Sequence, residues 1–157
     1  MTRGKLIAAI VWLALLGGLI YLMDGLLNPN KADTLGNARS VTLQRDPSGH
    51  YRAEAHINGI KVPVLVDTGA TGVAISRQLA VRLHLASNVA VRTQTANGDA
   101  VAYLVRLESV HLGGVEARDV SASIAPGLGG EALLGMSFLG RMDVRLHQGR
   151  MTIRQVE

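Results

Sequence analysis

An acidic residue closes an apolar run at Val62-Pro63-Val64-Leu65-Val66-Asp67, and only small residues follow it, Thr68-Gly69-Ala70-Thr71-Gly72. An apolar strand has no need of a carboxylate at its end. The small residues supply hydroxyls and backbone amides with little bulk, which lets a second backbone come close. A carboxylate held there is a catalytic candidate, able to take or give a proton. The plainer alternative is a strand-end turn in which Asp67 caps local amides. Other chemistries find less material. Gly127-Leu128-Gly129-Gly130-Glu131-Ala132 fits the dinucleotide pattern G-x-G-x-x-A but lacks a surrounding βαβ unit and a long following helix. Gly135-Met136-Ser137-Phe138-Leu139 misses the glycine that a nucleophile elbow needs two residues after its serine. His50, His56, His84, His111 and His147 are scattered without metal-ligand spacing, so no metal and no cofactor is expected. The chain has no cysteine, which excludes disulfides, thiolate metal sites and cysteine catalysis.

Leu65-Val66-Asp67-Thr68-Gly69-Ala70-Thr71 resembles the active-site loop of retropepsin-like aspartic proteases. Farther on, Ala132-Leu133-Leu134-Gly135-Met136-Ser137-Phe138-Leu139 is similar to the second signature of that fold, an apolar-apolar-Gly motif opening a short helix. Order and separation match bacterial, membrane-anchored members, and the likeness covers about Val41 to the C-terminus. Retroviral members usually carry Arg and then Asn or Asp after the second glycine, where Met136 and Ser137 stand here. Dimer contacts built on that arginine therefore do not carry over.

The resemblance implies an all-β, retropepsin-like closed fold with one or two short helices, and a peptide-hydrolysing site. Asp67 would be the catalytic acid, Thr68 would hydrogen-bond across a two-fold axis, and Gly69 would allow close backbone approach. Ala70 and Thr71 would line the substrate groove. Ala70 stands where pepsin-like enzymes usually have serine, and it offers the carboxylate no hydroxyl. Hydrolysis of this kind uses one ionised carboxylate to activate water and one protonated carboxyl to polarise the carbonyl. A single Asp-Thr-Gly in a chain half the length of a two-lobed enzyme therefore implies a homodimer with one Asp67 from each copy. A non-catalytic, membrane-tethered module that binds peptide on the same fold is the alternative.

These residues need strands to hold them. Val41-Thr42-Leu43-Gln44 alternates, Asp46-Pro47-Ser48-Gly49 turns, and Tyr51 to Ile57 alternates again. Asn58-Gly59 predicts a tight hairpin into Ile60 to Val66, with Pro63 where no ladder N–H is required. Ser76 is placed to cap a short helix through Leu79, Ala80 and Leu83. Val89 to Thr95 and Val101 to Leu107 flank Ala96-Asn97-Gly98-Asp99, whose Asn-Gly predicts a type I′ tip. In the resembled family a hairpin at this position closes over substrate, so Ala96, Asn97 and Gly98 join the expected substrate-binding set. His56-Ile57-Asn58-Gly59-Ile60-Lys61-Val62 aligns with His111-Leu112-Gly113-Gly114-Val115-Glu116-Ala117, a weak internal repeat implying pseudo-symmetric halves of which one carries an acid. Asp143 to Ile153 reads as a final hairpin.

At 157 residues and 48% apolar content the chain supports one modest core. Aromatics make up only 3% and no Lys/Arg run forms a stripe, so a nucleic-acid partner is set aside. Leu6 to Met23 is an uncharged run of about eighteen residues, in the lower range for crossing a ~30 Å hydrocarbon core. Arg3 and Lys5 before it and Asp24 after it place the N-terminus in the cytoplasm by the positive-inside bias. The run is long for a cleaved signal peptide and lacks a small-x-small cleavage pattern. The expected organisation is an N-terminal tip and transmembrane anchor (1–24), a flexible tether (25–40) and a retropepsin-like protease domain (41–157). The protein is thus expected to be single-pass in the inner membrane, with its catalytic domain on the periplasmic side, acting as a homodimer on polypeptide substrate.

Overall fold

Alternation organises the domain. Val62, Val64 and Val66 are buried, while Lys61 and Pro63 face outward. One face of each strand is therefore committed to a core, and the strands must curl around it. The computed structural model of the chain describes residues 3–27, 39–95 and 98–156. An N-terminal helix, α1 (Arg3–Leu27), is followed by β1 (Ser40–Gln44), β2 (Tyr51–Ile57), β3 (Ile60–Val66) and β4 (Val73–Ile75). Then come α2 (Arg77–Arg82), β5 (Ala90–Thr95), β6 (Gly98–Leu112), β7 (Val115–Ile124) and β8 (Ala132–Leu134). Helix α3 (Met136–Leu139) and strands β9 (Met142–His147) and β10 (Arg150–Gln155) end the described chain.

Seven strands hydrogen-bond in the order β2-β3-β8-β4-β7-β6-β5, and a further β2–β6 pairing joins the two ends of a six-strand ring. The fold is the closed, retropepsin-like β architecture with two short helices in the domain. The core inside it is aliphatic, with Ile57, Leu107, Leu112, Leu134 and Phe138 fully buried. A separate antiparallel sheet, β1-β10-β9, covers one end. Pro63 faces no strand on its far side, because the β3–β8 pairing begins only at Val64.

The local expectations hold in detail. Asn58 and Gly59 both take positive φ (47° and 79°), as a type I′ hairpin turn requires. The Ser76 hydroxyl accepts the Leu79 amide at 3.2 Å and caps α2. One strand was read too short. Val101 to Leu107 is the middle of β6, which runs unbroken through His111 and Leu112, so the hairpin's return strand and the repeat's first strand are one element. The four-residue tip read as Ala96 to Asp99 is also tighter, since Thr95 already pairs with Gly98. Ala96 and Asn97 lie outside the described residues, as does most of the tether, 28–38.

Helix α1 runs beyond Met23 to Leu27, and its Ile7–Gly25 span has a mean hydropathy of 2.1 with none of it buried against the domain. Trp12 and Tyr21 are 73% and 81% exposed. A helix that exposes apolar residues on every side is unsuited to water.

Asp46 is the one buried charged residue among those described. Burial works against its charge. The Ser48 hydroxyl, at 2.6 Å, the amides of His50 and Ser48, and the Arg52 guanidinium outweigh that penalty and hold its carboxyl below the usual aspartate range. A depressed folded value means this stabilisation is complete above the ordinary aspartate pKa of about 3.9 and disappears as pH falls through the lower folded value. Asp46→Ala is expected to cost about 1–3 kcal/mol at neutral pH, with the difference from the parent chain shrinking in strong acid. Urea unfolding at pH 7 and in strong acid measures it.

Candidate active site

Two loops cross at the centre of the ring. Strand β3 ends at Val66 beside β8, in parallel, and the Asp67 amide donates to the Leu134 carbonyl at 3.0 Å. Strand β7 ends at Ile124 beside β4, also in parallel, and the Ala125 amide donates to the Ile75 carbonyl at 3.0 Å. Between them β4 and β8 pair antiparallel at Ala74–Leu133. Exchanging β3 with β7 and β4 with β8 reproduces this hydrogen-bonding pattern. The helices obey it too, since Ser76 precedes α2 as Gly135 precedes α3. The hairpins β2–β3 and β6–β7 meet where His56 pairs with His111. The weak repeat is thus a structural one, and the counterpart of Asp67 is Ala125.

The acid-bearing loop is locked from below. The Met136 amide donates to the Ala70 carbonyl at 2.8 Å. The Ser137 hydroxyl accepts the Val73 amide at 2.9 Å and donates to the Ser121 carbonyl at 2.8 Å, tying α3 to both loop-bearing strands. In the sequence Ser137 figured as a failed nucleophile and as a departure from the retroviral pattern, and its bracing role had no local signal. Met136, in the position of the retroviral arginine, has a side chain 44% exposed.

Asp67 itself is half-buried, and its Oδ1 accepts the Gly69 amide at 2.8 Å. It therefore does cap a local amide, which steadies one carboxylate oxygen. It also opens onto a cleft of about 530 Å³. Ala70, Thr71 and Gly72 form one wall, and the loop running from Ala125 to Leu128 forms another. Thr93, Gln94 and Thr95 of β5 line the same cleft, so the β5–β6 hairpin reaches toward Asp67. Asp67 is the only charged residue among those lining it. The sequence singled out neither the Ala125–Leu128 wall nor Thr93 to Thr95. The alignment of the two halves was the available signal for the first.

Of the expected site residues, Asp67, Gly69, Ala70 and Thr71 come together at this cleft. Thr68 does not line it. Thr68 is exposed and lines a second cavity of about 240 Å³ with Asp67, His50, Tyr51, Leu146 and Met151. Gly98 sits at the hairpin tip, where its carbonyl accepts the Thr95 hydroxyl at 2.8 Å, and is not among the residues lining the cleft. Among the described residues no group of three or more His, Asp or Glu side chains is placed to hold a metal ion.

Residues 53–141 match the family described as "gag-polyprotein putative aspartyl protease". The chain is 33% identical over 130 residues to an uncharacterized protein in the cobV 5′ region of Sinorhizobium sp, covering 78% of this chain and 55% of that one. It is also 33% identical over 104 residues to an uncharacterized protein of Rickettsia prowazekii (strain Madrid E), covering 64% and 45% respectively. The chain thus spans about half the length of the curated relatives it matches. Among solved structures, a retropepsin-like aspartic protease from Rickettsia conorii matches with a TM-score of 0.62 at 28% identity, over 74% of this chain and 90% of that one.

The crossing makes a direct test possible. A Cβ on Gly135 would lie 2.3 Å from the Gly72 carbonyl oxygen and 2.6 Å from that of Ala70, both backbone atoms, whereas a Cβ on Gly72 would meet nothing within 4 Å. Gly135→Ala should therefore destabilise the domain by about 3 kcal/mol or prevent its folding. Gly72→Ala should fold with stability within about 1 kcal/mol of the parent. Thermal unfolding of the two variants measures the contrast.

Proposed function

The chain belongs to this aspartyl protease family, and we propose that it is a membrane-anchored aspartic endopeptidase whose water is activated between Asp67 of one copy and Asp67 of a second. The observation that carries this reading is a single carboxylate held at the crossing of two backbone loops, facing a cleft with no other charge. In such a pair one carboxylate takes a proton from water while the protonated carboxyl polarises the scissile carbonyl. The two groups share one proton because like charges ~3 Å apart do not both ionise cheaply. The cleft fits an extended chain: it is walled by loops and capped by the β5–β6 hairpin. Thr68 and Gly69 take the roles of bridging the axis and admitting the second loop. Ala70, Thr71 and the hairpin tip, Ala96, Asn97 and Gly98, contact substrate. The uncharged run from Leu6 to Met23 within α1, exposed from Ile7 on, favours an anchor, and the basic residues before it favour a periplasmic catalytic domain.

Two experiments test these points. Asp67→Asn removes the ionisable group and keeps the shape, so it should lower peptide cleavage by at least about 10³-fold while the unfolding midpoint stays unchanged. Asp119→Asn, on the far strand, should cut normally. Comparable cleavage by the Asp67→Asn variant would remove Asp67 from the mechanism. For orientation, an enzyme reporter active only outside the cytoplasm, fused after Glu157, should be active, and an inactive fusion at normal expression would reverse the topology.

A further inference from the structure

The three-stranded sheet turns its arginines outward. Strands β1 and β10 bury Val41, Leu43, Met151 and Ile153 against the core, so the alternate residues point away from it. On that outward face the register aligns Arg154 with Asp143 in one row and Thr42, Thr152 and Arg145 in the next, and Arg150 stands in a third. Asp143 is the one acid on the face, and Arg145 holds it at 3.1 Å. Arg150 and Arg154 are exposed, and neither makes an ion pair among the described residues. On the larger sheet, by contrast, Arg52, Lys61, Arg106 and Arg118 each meet a carboxylate. Three arginines against one aspartate leave this face with two net positive charges around the Thr42 and Thr152 hydroxyls, which lie 3.3 Å apart. No large apolar side chain is exposed on it. The chain leading from α1 joins the domain at this same sheet. The Gln155 amide donates to the Arg39 carbonyl at 2.7 Å, which fastens the start of the domain to β10. Residues 28–38 separate Arg39 from the end of α1, and fully extended they reach about 40 Å at most.

We propose that the outward face of the β1-β10-β9 sheet docks on the anionic headgroups of the membrane that α1 enters, seating the domain against the bilayer without inserting into it. The inference rests on the reading of α1 as an anchor, and it adds which surface of the domain meets the lipid. Two observations make phospholipid the occupant. The anchor keeps a headgroup surface within covalent reach of Arg39, and the face it is tied to carries unpaired guanidinium groups, whose forked N–H donors match phosphate oxygens. Each arginine near an anionic bilayer strengthens attachment about fivefold. With no apolar side chain to bury, the contact stays at the headgroups, and salt should undo it. The β5–β6 hairpin over the cleft belongs to the other sheet and takes no part in the contact. The unpaired Arg77 and Arg92 stand singly on α2 and β5, and serve as controls for charge without place.

The test uses the full chain reconstituted in lipid nanodiscs of phosphatidylglycerol or of phosphatidylcholine, each with a trace of lipid carrying a quencher on its headgroup. The chain has no cysteine, so Thr42→Cys on the outward face gives a single site for a fluorescent label. Val101→Cys on the hairpin, 51% exposed in the parent, gives the reference site. The label at position 42 should be quenched in phosphatidylglycerol at about 0.1 M salt and released at about 1 M, where the screening length falls from about 10 Å to about 3 Å. It should stay bright in phosphatidylcholine, and the label at position 101 should stay bright throughout. Arg150→Glu with Arg154→Glu should lower the ratio of docked to undocked domain at least about tenfold. Arg77→Glu with Arg92→Glu, an equal change of charge, should leave that ratio within about twofold. Unfolding midpoints establish that the variants fold, and Arg150→Gln with Arg154→Gln, which should also weaken docking, carries the test where the Glu pair does not. Equal quenching in the two lipids, equal quenching at positions 42 and 101, or a Gln pair as docked as the parent would overturn the proposal. So would a label at position 42 shielded to the same extent in neutral detergent, which would mean that a second copy covers the face. Retention at high salt separates docking from anchoring. A chain that stays in the discs at 1 M salt with position 42 bright at both salts removes the docking alone. A chain held at 0.1 M and released at 1 M removes the anchor alone.

Discussion

The close approach of Gly135 to the Ala70 and Gly72 carbonyls is the constraint on which the site depends. A backbone that near another needs both a residue without a side chain and hydrogen bonds to hold it. Gly135 supplies the first, and the Met136 amide donating to Ala70 supplies part of the second. Because the loop from Asp67 to Gly72 is held from beneath, its residues have little freedom, and the carboxylate receives a fixed direction into the cleft. The aliphatic core contributes indirectly: Leu134 and Phe138 are fully buried on either side of Gly135, which pins the glycine in place.

The pseudo-two-fold within one chain explains why the crossing carries a single carboxylate. Both halves build the same strand-loop-strand-helix unit, and both cross the other's strand with the same amide-to-carbonyl bond. Only one half ends its strand in an acid. Ala125 occupies the other position and contributes a wall to the cleft in place of charge. Among the described residues the crossing therefore holds one carboxylate, which is why the proposed mechanism takes its second from another copy. The duplicated architecture supplies a common frame, and the asymmetry in one residue puts a carboxylate on one loop and an apolar wall on the other.

Much of this was legible because local chemistry and tertiary demand coincide. Ile60 to Val66 was readable to the residue, since the type I′ turn at Asn58-Gly59 fixes its start and Asp67 its end. The cap at Ser76 was equally local. What sequence did not disclose was set by distance. Nothing near β1 announces that it pairs with β10, a partner more than a hundred residues away. The continuous course of β6 was missed because Glu108 and Ser109 interrupt its apolar pattern. The ladder lapses there, at Glu108 opposite Asp119, whose φ of 54° marks the distortion, and resumes in the same register. Within the site, Asp67 declared itself as a charge out of place. Thr93 to Thr95 did not, being polar residues on a polar edge whose meaning comes only from facing Asp67 across the cleft.

If α1 anchors each of two copies, as proposed, it restricts how they can meet. If both α1 helices enter one membrane in the same direction, the two copies are confined to one plane. Confinement to that plane also raises the effective concentration of each copy for the other without adding a contact, through a tether read at residues 25–40. That matters for a site built from two halves, whose activity follows the population of the assembled form. Assembly then becomes sensitive to the amount of protein per unit membrane area, so proteolysis would turn on with surface density.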